Sequence, residues 1–283
     1  MPLTAGRYGH ARIAVLSVIK EETEAVRNIF RLTQRVTRTH YYVSPGQPPQ
    51  SPEIVNCEIG RNNVQSGEAI RDVIEHWQPQ VLVLVGIAGG IDGYDDISVG
   101  DIVVPDYVHY AAFAKLSAGG QQRRFIAYDH PAIQLHRSYA APLRDDESWI
   151  TDDLIHQLPR AEKPKVHIAG LVAGDKVYGD PSNEEQALLL NEFGEVAAAI
   201  DMESVGLCRS VAAARSNPQY NPRLLIVRGI SDLVGQTENN EIRKQYKPVA
   251  ALVAATFARR VVDDILTDEP DPRLPQEEGG FDE

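Results

Sequence analysis

Leu224-Leu225-Ile226-Val227-Arg228-Gly229-Ile230-Ser231-Asp232 is the stretch whose reading decides the fold. Its four leading apolar residues read as a strand covered on both faces. An acid placed where such a strand ends sits at the rim of the sheet, where open α/β folds bind ligands. Two further carboxylates hold similar places: Glu22 after the apolar run 13–18, and Glu203 after 198–200.

Outward from that stretch, apolar runs alternate with helical spacing. Strands are expected at 12–18, 39–43, 53–59, 81–85, 102–104, 166–173, 198–200 and 224–230. Helices are expected at 21–32, 62–76, 183–193, 203–216 and 247–266. The alternation predicts a three-layer α/β/α domain over 11–266 with a central mixed, mostly parallel sheet. Gly86-Ile87-Ala88-Gly89-Gly90 reads as a sharp turn, and 44–52, with four prolines, as a loop. Residues 114–165 read as an irregular excursion with a helix near 149–158. Residues 267–283, rich in acids and proline, read as a disordered tail.

The net charge of −12 argues against nucleic acid or an anionic membrane as partner, while leaving room for a small anion held by a few arginines. Composition is that of a globular chain, 43% hydrophobic and 24% charged. Cys57 and Cys208 have no metal or redox spacing and read as small core residues; so few cysteines predict a reducing compartment. With no leader-like start and no apolar run of membrane-spanning length, the reading is a cytoplasmic protein. The eight histidines form no metal-ligand spacing, so neither metal nor cofactor is expected.

Taken singly, each motif is ambiguous. Glycines at 86, 89 and 90 allow backbone amides to approach a ligand, or simply make a turn. Glu203, in Ala199-Ile200-Asp201-Met202-Glu203, is also accounted for as a helix-start charge, and Asp232 as an N-cap. Glu22, in Lys20-Glu21-Glu22-Thr23-Glu24, reads equally as one of several solvated charges.

Their joint order is more specific. The chain resembles the nucleoside phosphorylase/hydrolase superfamily, in particular its methylthioadenosine/S-adenosylhomocysteine nucleosidase-like branch, from about residue 13 to 266. Carrying the resemblance are Ile19-Lys20-Glu21-Glu22, Ile59-Gly60-Arg61-Asn62-Asn63-Val64, Val85-Gly86-Ile87-Ala88-Gly89-Gly90-Ile91, Val99-Gly100-Asp101-Ile102-Val103-Val104, Ala173-Gly174-Asp175, Ile200-Asp201-Met202-Glu203 and Val227-Arg228-Gly229-Ile230-Ser231-Asp232. The resemblance implies hydrolysis of a purine N-glycosidic bond, most simply with release of adenine. Glu22 would activate water, Asp232 would protonate the purine, and Glu203 would hold the ribose beside Met202. Ile87, Ala88, Gly89, Val177, Tyr178, Asp201 and Ser231 would line the substrate. A homodimer is implied, with 109–115 reaching toward the neighbouring site.

Phosphorylases of this superfamily hold phosphate on a Gly-rich, Arg-bearing loop after the first strand. Here that loop, Ser17-Val18-Ile19-Lys20-Glu21-Glu22, has neither residue and carries two acids, which favours water as nucleophile. A non-catalytic nucleoside sensor is disfavoured by retention of all three acids. Ile87, Asp201 and Tyr178 depart from the residues usual in the nucleosidases. Arg123 and Arg124 are candidate contacts for a phosphorylated 5′ group, or are surface charges.

Overall fold

Along the decisive strand, Leu224 and Ile226 pack into one apolar cluster and Leu225 and Val227 into another. This is the period-2 alternation of a strand sandwiched between two helical layers. The computed structural model describes residues 9–269 except 48–50, 118–119, 124–126, 130–134, 159–161 and 181. In chain order the elements are β1 (Ile13–Ser17), α1 (Lys20–Phe30), β2 (Gln34–Arg35), β3 (Tyr42–Val43), β4 (Ile54–Glu58), α2 (Asn62–Trp77), β5 (Val81–Ile91) and β6 (Ile102–Tyr110). There follow β7 (Ala114–Ser117), β8 (Gly120–Arg123), β9 (Ala127–Asp129), α3 (Asp152–Ile155), β10 (Val166–Ala173), α4 (Glu184–Phe193), β11 (Ala197–Asp201), α5 (Ser204–Ala214), β12 (Arg223–Val234) and α6 (Asn239–Asp268).

The main sheet runs β11-β10-β6-β12-β5-β1-β4-β3-β2 and is mixed, as expected. Helices α2 and α5 cover one face through Ile70, Val73, Trp77, Leu207 and Val211. Helices α1 and α6 cover the other through Val26, Phe30, Phe257 and Val261. Asp101, fully buried, accepts from the Ser98 and Lys165 amides at 2.9 and 2.8 Å and lies 3.2 Å from His167 Nε2, tying together the starts of β6 and β10.

Several boundaries differ from the sequence reading, and two of them matter for the site. Gly86–Gly90 is not a turn: β5 runs unbroken for 11 residues. Its first half pairs with β1, up to Leu84; its second half pairs with β11, through Gly89 and Gly90. One strand therefore passes from one neighbour to another, and the sheet opens a gap between β1 and β11. β12 likewise extends to Val234, so Asp232 lies within a strand rather than beyond its end. The β12–β5 register shifts between Ile230 and Asp232, leaving Ser231 as an extra residue. Such a bulge re-aims the side chains next to it.

Elsewhere, β6 is nine residues long rather than three, and the helix expected near 149–158 is four residues long. The excursion contains the β7–β8 hairpin. α6 begins at Asn239, well before 247, and continues through Pro248; its polar opening turns had read as loop. It ends at Asp268, two residues into the presumed tail, and Glu269 then pairs with Arg223. Among the described residues, no helix is long and apolar enough to cross a membrane.

Candidate active site

The gap between β1 and β11 is where the three acids meet. In the interval of β5 that neither neighbour reaches, the Ile87 N–H donates to Glu22 Oε1 at 2.9 Å. Glu22 is the third residue of α1, and its Oε2 accepts from the Val18 and Ile19 amides at 2.7 and 3.0 Å. It therefore closes the start of its own helix, as an acid at that position commonly does. It is also 3% exposed, so the reading of it as a solvated charge is set aside. Burial pushes its carboxyl above the usual range, against the Arg228 charge and the three amides.

Glu203 occupies the N-cap position of α5 but makes no side-chain cap to that helix. Its Oε1 accepts from the Asn62 amide at 3.2 Å, and its Oε2 lies 3.5 Å from Arg228 Nη2. Asn62 sits at φ +68°, left-handed backbone that Asn tolerates better than most residues. Asn63 fastens this start of α2 to the neighbouring elements: its side chain reaches the Gly174 carbonyl and Asp175, and accepts from the Gly206 amide at 3.1 Å. These contacts give the Arg61-Asn62-Asn63 motif a structural purpose. Burial pushes Glu203 up to about 7, Arg228 opposing and Asp201 and Glu22 adding to the rise.

Asp232 is 1% exposed. Ser231 donates to its Oδ1 at 2.6 Å, whereas Oδ2 has no hydrogen-bond partner among the described residues and Arg243 Nη1 stands 3.9 Å away. Burial raises its pKa, with Ser231 and Arg243 pulling the other way. The alternative of a helix N-cap falls away, because the residue lies in β12.

Sequence reasoning quoted Arg228 within a motif but gave it no role. It is fully buried at the centre of the cluster. Its Nε donates to Asp201 Oδ2 at 2.9 Å, and Nη2 bonds the same oxygen. Burial works against its charge, but Asp201, Glu203 and Glu22 outweigh that cost. Nη1 has no acceptor among the described residues. A Cβ built on Gly86 would lie 2.4 Å from Nη1 and 2.5 Å from Glu22 Oε1, so only glycine fits between them. A charged arginine on a central strand has no signature in the hydrophobic pattern; the one available sign was a lone cation directly after a four-residue apolar run.

A cavity of about 240 Å³ connects these groups. Glu22, Glu203 and Asp232 all line it, as do the predicted Ile87, Ala88, Gly89, Val177, Tyr178, Asp201, Met202 and Ser231. Asp201 differs in character from the other acids: its oxygens are taken by Arg228 and Ser204. Val177 is 60% exposed at the mouth, and Tyr178 is buried. Four cations that the sequence reading did not single out also line the cavity: Arg61, Lys176, Arg243 and Lys247. Arg123 is placed only by its backbone in β8, and Arg124 lies outside the described residues.

The phosphorylase superfamily profile matches residues 12–267, and the chain belongs to that family. Among its curated relatives is the 5′-methylthioadenosine/S-adenosylhomocysteine nucleosidase of Bacillus anthracis, 24% identical over 255 residues that cover 90% of this chain and 99% of that one. The fold is shared with the nucleosidase of the same name from Colwellia psychrerythraea, solved in complex with adenine (TM-score 0.66, 21% identity, covering 91% of this chain and 96% of that one). It is shared too with the futalosine hydrolase of Helicobacter pylori (TM-score 0.67, 17% identity, covering 90% and 98%).

Proposed function

We propose that this chain hydrolyses the N-glycosidic bond of a purine nucleoside or nucleotide, releasing the free base, adenine by preference. The observation that carries the reading is one cavity lined by four buried acids, of which Glu22, Glu203 and Asp232 have different hydrogen-bond surroundings. Cleavage builds positive charge on the sugar and negative charge on the departing purine, and both need stabilisation as they form.

Asp232 is the general acid. Its Oδ2 meets no hydrogen-bond donor among the described residues and its raised pKa favours the protonated form, so it presents a proton to N7 as the C1′–N9 bond breaks. Glu22 is the base. All of its close hydrogen-bond contacts are amide donors, which stabilise the carboxylate and oppose the burial that raises its pKa, so it takes a proton from water as oxygen bonds to C1′. The open Nη1 of Arg228 beside Glu22 Oε1 offers a second contact to that water. Glu203 holds the ribose hydroxyls, and Asp201 acts through Arg228 as a positioning acid.

Phosphorolysis is the second reading. Against it, the Val18 and Ile19 amides at the start of α1 are both occupied by Glu22 and are not free to bind a phosphate. Incubating the protein with adenosine, methylthioadenosine and AMP, and chromatographing the products, tests the reading. Free adenine and an unphosphorylated anomeric carbon support it. Ribose 1-phosphate formed only with added phosphate, or no base from any purine substrate, refutes it.

A further inference from the structure

We propose that the mouth of this cavity is built for an anionic 5′ substituent, so that the substrate is a nucleotide rather than a thioether or free nucleoside. The inference rests on the nucleosidase reading of the cavity and specifies its substrate class.

The basis is local charge. In a chain of net charge −12, four cations line this cavity. Lys176 is neutralised, both oxygens of Glu185 lying 2.7 Å from its Nζ. The other three have no short ion pair, although Arg243 donates from Nη2 to Asn240 Oδ1. Lys247 Nζ is 3.5 Å from Glu21, and Arg243 Nη1 is 3.9 Å from Asp232. Arg61 has no hydrogen bond or ion pair among the described residues and meets Glu21 only through space. Arg243 and Lys247 are four apart on α6, so they share one face a turn apart. Arg61 approaches from the start of α2.

The interior acids do not consume this charge. Asp201 has its own partner in Arg228, and Glu203 and Asp232 are pushed toward their neutral forms by burial. Near the mouth cations, the ionised acid without a close partner is Glu21, shared loosely between two of them. A phosphate at the mouth would replace these long contacts by short charge-assisted hydrogen bonds. A methylthio group would leave three cations facing an uncharged ligand.

The test measures binding of adenosine, methylthioadenosine, AMP and ATP by calorimetry to the full chain carrying Asp232→Asn to slow turnover, and adenine release by the unmodified chain. The phosphorylated ligands are expected to bind roughly 10–100-fold tighter. The gap should collapse in an Arg61→Gln/Lys247→Met chain and shrink as ionic strength rises, the second readout requiring no variant at the mouth. Equal or tighter binding of the uncharged ligands, or a gap that survives the double substitution, overturns the inference. So does acceleration of adenosine cleavage by inorganic phosphate with formation of ribose 1-phosphate, which would assign the cations to a free phosphate nucleophile. If no ligand releases a base, the nucleosidase reading fails, yet the binding comparison still decides what the mouth recognises.

Discussion

The two ends of the cavity solve opposite problems with the same residue type. At the β1 end, Glu22 is surrounded by three amides and an arginine. At the β12 end, Asp232 has one hydroxyl on Oδ1, no described residue hydrogen-bonded to Oδ2, and an arginine at arm's length. Burial raises both acids, so depth alone does not distinguish them. What separates them is the donors: amides reward a carboxylate, and an unmet oxygen leaves room for a proton. The proposed roles of Asp232 as acid and Glu22 as base follow this difference in hydrogen bonding.

The contrast is broken most severely at its centre. Replacing Arg228 by Met strands Asp201 without its partner and should cost about 3–5 kcal/mol of stability, measured by denaturant unfolding, along with nearly all activity. Next comes exchanging each acid for its amide. Glu22→Gln and Asp232→Asn should each lower kcat by about 10²–10⁴-fold. Glu22→Gln should also destabilise the fold, since its NH₂ would face a backbone amide donor. Equal thermal stability of the two variants would show that the donor counts do not matter.

Gly86→Ala forces a Cβ between Arg228 and Glu22 and should cost about 1–3 kcal/mol. A normal unfolding midpoint with normal turnover would mean that the two side chains can part freely. Acidity provides a subtler probe. Glu203 is raised to about 7, so between about pH 4.5 and 7 the folded protein binds more protons than the unfolded chain does. The stability contributed by this group is complete below that window and lost as pH rises through it. Glu203→Gln should flatten that part of a melting-temperature profile. The smallest effect is expected from Ser231→Ala. Loss of the 2.6 Å bond should raise the pKa of Asp232 further and shift the alkaline limb of kcat upward, with less than about tenfold change in rate at neutral pH.

Much of this was legible in residue order. The apolar runs at 81–85 and 224–227 marked the central strands, and the acids at 22, 203 and 232 marked the cavity. The segment 86–91 was misread because three glycines weaken a strand signal, whereas here β5 continues and joins β11 at Gly89 and Gly90. Arg228 was passed over because its compensation comes from Asp201, 27 positions away. The mouth cations were invisible for the same reason: position 61, before α2, and positions 243 and 247, on α6, meet at one cavity only through the fold. The sequence had offered Arg123 and Arg124 as contacts for a phosphorylated 5′ group or as surface charges; Arg123 is placed only by its backbone in β8, and Arg124 lies outside the described residues.

The uninterrupted course of β5 bears on how such a protein can change its diet. Ile87 anchors one acid and Gly89 lies opposite the other, two residues along a single extended ribbon, or about 7 Å of rise. The spacing of the chemical machinery is thus a property of strand pleat, unaffected by the loops and helix ends that ring the entrance. New ligand tails can be accommodated by rewriting the rim alone, while the calibrated ruler beneath it stays as it is.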